Sequence, residues 1–104
     1  MDLKLLNREI LLAFWKVHIL HHADEGTVVG QWMLKELRHH GYDVSPGTLY
    51  PLLKRMEKNG WLVSSVDPSK GPKGPRAYRI TREGRKVLKF IRQQLQELGV
   101  EINK

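Results

Sequence analysis

Ser45-Pro46-Gly47-Thr48-Leu49-Tyr50-Pro51-Leu52-Leu53-Lys54-Arg55-Met56-Glu57-Lys58-Asn59-Gly60 is the stretch whose reading decides the fold. Ser45 suits an N-cap, where its hydroxyl is expected to accept from the free amides of the first turn. Pro46 suits the first helical position, where a missing N–H costs nothing. Leu49, Leu52, Leu53 and Met56 then follow the i, i+3, i+4, i+7 spacing of one apolar helix face, and Gly60 is placed to end the helix after Asn59. Pro51 would press on the carbonyl of Gly47; a glycine there leaves room for a slightly distorted first turn. The opposite face carries Thr48, Tyr50, Lys54, Arg55 and Lys58, hydroxyls and cations able to reach phosphate oxygens or base edges.

Upstream, Leu3 to His22 reads as a helix with two apolar stripes. Leu6, Ile10, Ala13, Phe14 and Val17 are expected to face the core. Leu12, Trp15 and Ile19 lie on another face and imply a second partner surface, either in this domain or on another subunit. A second helix is expected from about Gly30 to His40, with Met33, Leu34 and Leu37 inward and Gly41 as its left-handed C-terminal residue. Downstream, Trp61 to Val66 and Arg76 to Ile80 read as the strands of a hairpin whose tip, Asp67 to Pro75, is rich in glycine and proline. Thr81 can cap a last helix to about Ile102. In it Leu88, Ile91, Leu95, Leu98 and Ile102 recur at alternating spacings of three and four, the pattern of a helix-pairing seam.

The chain is mainly α with a small β-hairpin, and its 104 residues suffice for one structural unit. Residues 1–80 form the domain proper and residues 81–104 the last helix. The absence of cysteine excludes disulfides, thiolate nucleophiles and every zinc site that needs sulfur. No stretch is apolar and long enough for a signal peptide or membrane span, so a cytoplasmic location is expected. The net charge of +7 points to a polyanionic partner. Between positions 70 and 92 stand nine cations, Lys70, Lys73, Arg76, Arg79, Arg82, Arg85, Lys86, Lys89 and Arg92, against the single acid Glu83. A solvated helix face accounts equally well for the second half of that run.

Two helices joined by a tight turn, the second amphipathic and open at its N-terminus, make a helix-turn-helix with a recognition helix. The free amides and dipole of that helix suit phosphate. Lys70, Lys73 and Arg76 on the hairpin tip suit the neighbouring backbone of a double-stranded DNA.

The run Val44 to Leu53, continued by Arg55-Met56-Glu57-Lys58-Asn59-Gly60-Trp61-Leu62, resembles the signature of PadR-like transcriptional regulators. So do Gly74-Pro75-Arg76-Ala77-Tyr78-Arg79-Ile80-Thr81-Arg82-Glu83-Gly84 and, earlier, His21 to Gly26 with Gly30. The resemblance covers nearly the whole chain and is closest to short members with one C-terminal helix. It implies a winged helix-turn-helix held as a homodimer by its first and last helices, usually a repressor at a palindromic operator, released in some relatives by a small, often aromatic, effector. By motif position Ser45, Pro46, Gly47, Thr48, Tyr50 and Lys54 would serve recognition, with Arg55 beside them and the wing on phosphate. Read from the residues themselves, Leu12, Trp15, Ile19, Leu88, Ile91, Leu95, Leu98 and Ile102 are the candidates for a dimer interface, with packing of the last seam within its own domain as the alternative; Trp15 and Trp32 are candidates to line an effector pocket at the dimer centre, or else core or interface anchors.

Other constellations are weaker. His18 and His22, four apart, share a helix face and read as solvated imidazoles, so no metal and no cofactor is expected. Ser45 and Ser64 have no sequence-evident base and the acids form no recognisable pair, which argues against an enzyme. Two other functions compete with regulation: a protein-interaction module whose basic face serves solubility, and a nonspecific architectural binder of nucleic acid.

Overall fold

The computed structural model describes the backbone of residues 1–104 and the side chains of all but residue 68. The first helix begins as α1 (Leu3–Leu6), capped by Asp2, whose Oδ1 accepts from the Leu5 N–H at 3.1 Å. It widens into a π-helical segment, Asn7–Leu11, and continues as α2 (Leu12–Glu25). Then follow β1 (Val28–Val29), α3 (Gly30–His39), α4 (Pro46–Lys58), β2 (Leu62–Val66), β3 (Arg76–Ile80) and α5 (Arg82–Ile102). The strands form one antiparallel sheet in the order β1-β3-β2, with Leu62 opposite Ile80, Val66 opposite Arg76 and Val28 opposite Tyr78. The expected hairpin therefore carries a third strand. Its two residues are too few to show the alternation that marks a strand in sequence.

Helix α4 sits at the centre of the core. Leu49, Leu52, Leu53 and Met56 are all fully buried, against Ile19, Met33, Leu37, Val44, Leu62 and Leu88. The helix runs unbroken through Pro51. Both helix ends that flank the turn-and-wing region close alike. Gly41 (φ +92°) donates to Arg38 O at 2.9 Å and Tyr42 N to Leu37 O at 3.2 Å; Gly60 (φ +83°) donates to Glu57 O at 2.9 Å and Trp61 N to Met56 O at 3.1 Å. This paired closure needs a left-handed residue, which glycine adopts without cost.

Three expectations require correction. First, the stripes of the opening helix exchange roles. Trp15 and Ile19 are 2% and 0% exposed and lie in the chain's own core with Leu20 and Ala23, so neither is available to a partner; Leu12 is half-buried beside them. Ile10 and Phe14, expected inside, are 50% and 45% exposed. Phe14, Val17, Trp15 and Ile19 all lie in α2, beyond the π-helical segment, and the stripe that the other elements cover is the one carrying Trp15 and Ile19. Second, Leu88 is buried in the same core and Ile91 is half-buried, whereas Leu95, Leu98 and Ile102 are exposed. The seam of α5 begins inside the domain and continues beyond it. Third, Ser45 occupies the N-cap with extended backbone, yet its hydroxyl donates to Thr48 Oγ1 at 3.2 Å and caps no amide. Thr48 and Leu49 N–H bond the Ser45 carbonyl instead.

Where β3 turns into α5, Thr81 ties three segments together. Its N–H donates to Trp61 O at 3.0 Å, its hydroxyl to Gly60 O, and its Oγ1 accepts from Gly84 N at 2.9 Å. Gly84 can approach the Trp61 carbonyl only because it lacks a side chain. From there α5 runs along α2, with Arg85 Nε 3.1 Å from Asp24 Oδ1 and Arg92 Nη2 3.2 Å from His21 Nδ1. The Cα radius of gyration is 14.7 Å and the extents are 53 × 32 × 22 Å. A compact chain of this length would measure about 13 Å, so the molecule is elongated.

A methyl group at position 84 would strike the Trp61 carbonyl oxygen and lie 2.7 Å from Ile80 Cγ1. Overpacking of this kind costs about 1–3 kcal/mol, more than the up to about 1 kcal/mol that alanine gains in a helix. Gly84→Ala is therefore expected to lower the melting temperature by several degrees in a calorimetric scan. A melting point equal to or above that of the parent chain would show that the junction of β3 and α5 is not tightly packed.

Candidate nucleic-acid interface

All the polar positions expected on α4 are at the surface. Ser45, Pro46, Gly47, Thr48, Tyr50, Lys54 and Arg55 are exposed, because the same helix turns Leu49, Leu52, Leu53 and Met56 inward. With the Ser45 and Thr48 hydroxyls bonded to each other, no side chain caps the first turn, and the N-terminal end keeps its capacity for an anion.

Between this end of α4 and the wing lies a groove of about 650 Å³. Tyr50 forms one wall, Lys70, Lys73 and Arg76 the other, and Val29, Gly30 and Tyr78 contribute from the start of α3 and the sheet. Four of the residues singled out in the sequence thus meet in one concave surface. Tyr50 is 41% exposed, with its ring laid against Gly30, where a Cβ would come within 2.5 Å of the ring carbon Cε1. Gly30 therefore sets where the Tyr50 ring rests, a role invisible in a sequence that offers it only as a helix-start residue.

The wing is fixed to α4 by a relay the sequence did not disclose. The N–H and hydroxyl of Ser64 on β2 both donate to Glu57 Oε2, at 3.0 and 2.7 Å, and Arg76 Nη1 donates to Ser64 Oγ at 3.2 Å. The wing's turn is closed by Asp67, whose Oδ1 accepts from the Ser69 N–H and hydroxyl. Those bonds hold the Asp67 carboxyl below the usual carboxylate range. Tyr78, beneath the groove, has its phenol pushed up, first by burial and then by the neighbouring Glu57 carboxylate. Local spacing carries no sign of the Glu57–Ser64 pairing, since it joins a helix to a strand across a turn.

The second half of the basic run behaves differently. Arg85 is bonded to Asp24 and Lys86 lies 3.9 Å from Glu83, so these cations serve the packing and surface of α5. A second groove, of about 450 Å³, places Ser45 and Thr48 beside Lys4, Arg8 and Leu12, with Trp15 at its base. Lys4 and Arg8 thus extend the positive surface at the start of α4, a juxtaposition that depends on how the first helix crosses it. Trp32, 43% exposed, lines a different cleft with His22, Gly26 and Val29. The expectation that Trp15 and Trp32 share an effector pocket is therefore corrected: Trp15 is buried on one side of the core and Trp32 stands on the surface of α3.

Comparison with known proteins agrees with this architecture. The model of the transcriptional regulator PadR-like family matches residues 19–90. Over 95 residues the chain is 47% identical to the transcriptional regulator Rv3488 of Mycobacterium tuberculosis, covering 91% of this chain and 88% of that protein. The crystal structure of a PadR family transcriptional regulator from Eggerthella lenta superposes with a TM-score of 0.78 at 30% identity, covering 96% of this chain and 88% of the other. A PadR-like transcriptional regulator from Bacillus cereus gives 0.79 at 28% identity, with coverages of 91% and 93%. No helix among the described residues is long and apolar enough to cross a membrane. The matched region runs from the buried half of α2 through the wing into α5, and the chain belongs to the PadR-like family of winged-helix, DNA-binding transcriptional regulators.

Proposed function

We propose that this chain is a cytoplasmic repressor that binds a palindromic operator as a homodimer, laying α4 in the major groove and the wing on the flanking backbone. The observation that carries the reading is the shared groove of Tyr50 with Lys70, Lys73 and Arg76. It presents an aromatic hydroxyl at the mouth of a recognition helix and three cations on a separate arm, one for base edges and one for phosphate. Thr48 and Tyr50 read bases near the helix start, Lys54 and Arg55 follow along the groove, and the Gly47 end of the helix receives a phosphate.

Dimerisation is supported by an apolar surface without an intramolecular partner. Ile10, Phe14, Leu95, Leu98 and Ile102 are each about 44–69% exposed, and Phe14 and Leu95 border one small cleft with Val17, His18 and Tyr42. Single apolar residues at a surface are ordinary, whereas a line of them continuing a core seam marks an association surface. Two recognition helices also read more base pairs than one short helix can. In a symmetric dimer their half-sites lie about 34–36 Å apart, or a multiple of that.

The decisive experiment titrates the protein against genomic fragments at fixed moderate salt, in competition with random DNA. Selective retention of a fragment containing an inverted repeat supports the repressor reading. Equal affinity for all DNA would make the chain an architectural binder, and no affinity even at low salt would make it a protein-interaction module.

Tyr50→Ala is expected to lower operator affinity about tenfold, within the roughly 1–3 kcal/mol carried by a good base contact, while leaving random-DNA affinity within twofold. Gly30→Ala should reproduce part of this loss by displacing the ring. Equal losses on both DNAs would assign Tyr50 to the backbone or the fold. Lys73→Ala is expected to weaken binding to every sequence alike and to reduce the slope of log K against log salt by about one unit; an unaltered slope would remove Lys73 from the phosphate contacts. Leu95→Glu should shift the sedimentation profile to monomer with the helical circular-dichroism signal retained. A dimer that survives this change would place the interface elsewhere.

A further inference from the structure

All five histidines of the chain gather at the junction of α2 with the end of α3. His18, His21 and His22 come from α2 and His39 and His40 from the close of α3. His21 and His22 rings are 5.0 Å apart, and His39 and His40 rings 5.9 Å. His18 and His22 share a face, as their spacing requires. Folding adds His40 to them, with its ring centre 4.8 Å from that of His18 and 6.4 Å from that of His22. One ring nitrogen from each of the three lies within 4.8 Å of the other two. Glu36, one turn before His40, reaches into the same space; its Oε1 is 3.1 Å from His40 Nε2 and 3.8 Å from His22 Nε2.

The hydrogen bonding of His22 singles out one nitrogen. Its Nδ1 is 3.2 Å from Glu25 Oε1, so the ring proton sits on Nδ1 and donates to that carboxylate. The other nitrogen, Nε2, is sealed from solvent and has no hydrogen-bond partner. A carboxylate behind an imidazole whose far nitrogen faces other imidazoles is the arrangement that orients and strengthens a metal ligand. An unpartnered buried polar nitrogen is otherwise a cost to the fold.

We propose that His18, His22 and His40, with the Glu36 carboxylate as fourth ligand, bind a borderline divalent transition-metal ion, of which Zn²⁺ is the type case, and that this ion ties α2 to the helix-turn-helix. Three imidazoles and one carboxylate suit Zn²⁺, Ni²⁺ or Co²⁺, while Mg²⁺ and Ca²⁺ favour all-oxygen sets. Tetrahedral coordination with bonds of about 2.0–2.1 Å brings ligand nitrogens to about 3.4 Å from each other. The nitrogens must therefore close by at most about 1.5 Å, well within the reach of χ rotation at His40, whose side chain is 41% exposed. The ion would act at a point of leverage. His40 caps α3 and precedes Gly41, the left-handed residue of the turn that leads into α4. His18 borders the cleft shared by Phe14 and Leu95. One ligand set thus spans the turn that aims the recognition helix and the apolar surface assigned to the dimer, so binding of the ion changes operator affinity; this regulatory arm alone rests on the proposed repressor function.

The test begins without DNA. The full chain, stripped with a chelator and dialysed, is titrated calorimetrically with Zn²⁺, Ni²⁺ and Mg²⁺, and with Co²⁺ while the visible d–d bands are recorded. One Zn²⁺ per chain, bands of a four-coordinate Co²⁺ site and no heat from Mg²⁺ are expected. His40→Ala, at an exposed position outside the core, should lower Zn²⁺ affinity more than tenfold, and His18→Ala should do the same. His39→Ala, next to the cluster but outside it, should leave affinity within twofold. Absence of Zn²⁺ and Ni²⁺ binding, or affinity unaltered in both His40→Ala and His18→Ala, overturns the site. In the second arm, operator affinity of the parent chain should change severalfold between stripped and Zn²⁺-loaded protein, and His40→Ala should abolish the difference. Zn²⁺ binding with unchanged operator affinity overturns the regulatory coupling. Zn²⁺ binding by a chain that selects no operator overturns the repressor reading and leaves the metal site standing.

Discussion

Burial of one face of α4 is the interaction on which the rest of this molecule depends. Leu49, Leu52, Leu53 and Met56 are without solvent exposure, and a fully buried side chain of this kind contributes about 1.5–3 kcal/mol. Even discounted for residual burial in the unfolded chain, the four together rival the roughly 5–15 kcal/mol of net stability of a typical domain. The helix proposed to face DNA is therefore also the helix the core is built around. Its exposed residues are consequently held in one place, and the recognition surface is not reoriented without shifting the packing of α3 and β2 against it.

Much of this was legible in the sequence because it depends on local chemistry. The apolar spacing from Leu49 to Met56, the proline at the first helical position, the glycines at 41 and 60 and the cap at Thr81 each express a rule that acts within a turn or two. The misreadings share another cause. Which stripe of the first helix enters the core depends on where the other elements, α5 among them, cross it, and that is not encoded in periodicity. The stripe of Phe14 and Val17 and the stripe of Trp15 and Ile19 are equally helical in spacing, so the sequence alone leaves open which partner each one meets. Ser45 stands at the cap position, but its hydroxyl donates to Thr48 Oγ1 instead of accepting from a first-turn amide, a choice that composition does not rank. Contacts between distant segments, such as Glu57 with Ser64, Gly30 with Tyr50 and His40 with His18, had no sequence signal beyond the presence of suitable residue types.

Helix α5 shows how one continuous pattern can serve two purposes. Leu88 completes the domain's own core, and the same heptad spacing carries on through Leu95, which still borders Phe14, Val17 and Tyr42, to Leu98 and Ile102, which are 49% and 69% exposed. A helix of 21 residues anchored at only one end holds its distal turns by propensity alone unless something packs on them, and propensity is a weak force in water. The links to α2, an ion pair of Arg85 with Asp24 and a hydrogen bond from Arg92 to His21, lie no further along than its midpoint, which sharpens the contrast between an anchored base and a more exposed tip.

The relay from Glu57 through Ser64 to Arg76 has a mechanical meaning beyond its hydrogen bonds. It joins the reading helix and the wing into a caliper with a fixed gap, set before any duplex arrives. A gauge of constant width measures what it closes on, and DNA groove width varies with sequence even where no base is touched. A segment whose natural shape matches the gap is gripped without distortion, and a stiff segment of another width must itself be deformed. On the proposed mode of binding, a preference follows for certain base steps lying between the points of contact, written in the stiffness of the double helix and enforced by a serine that never meets it.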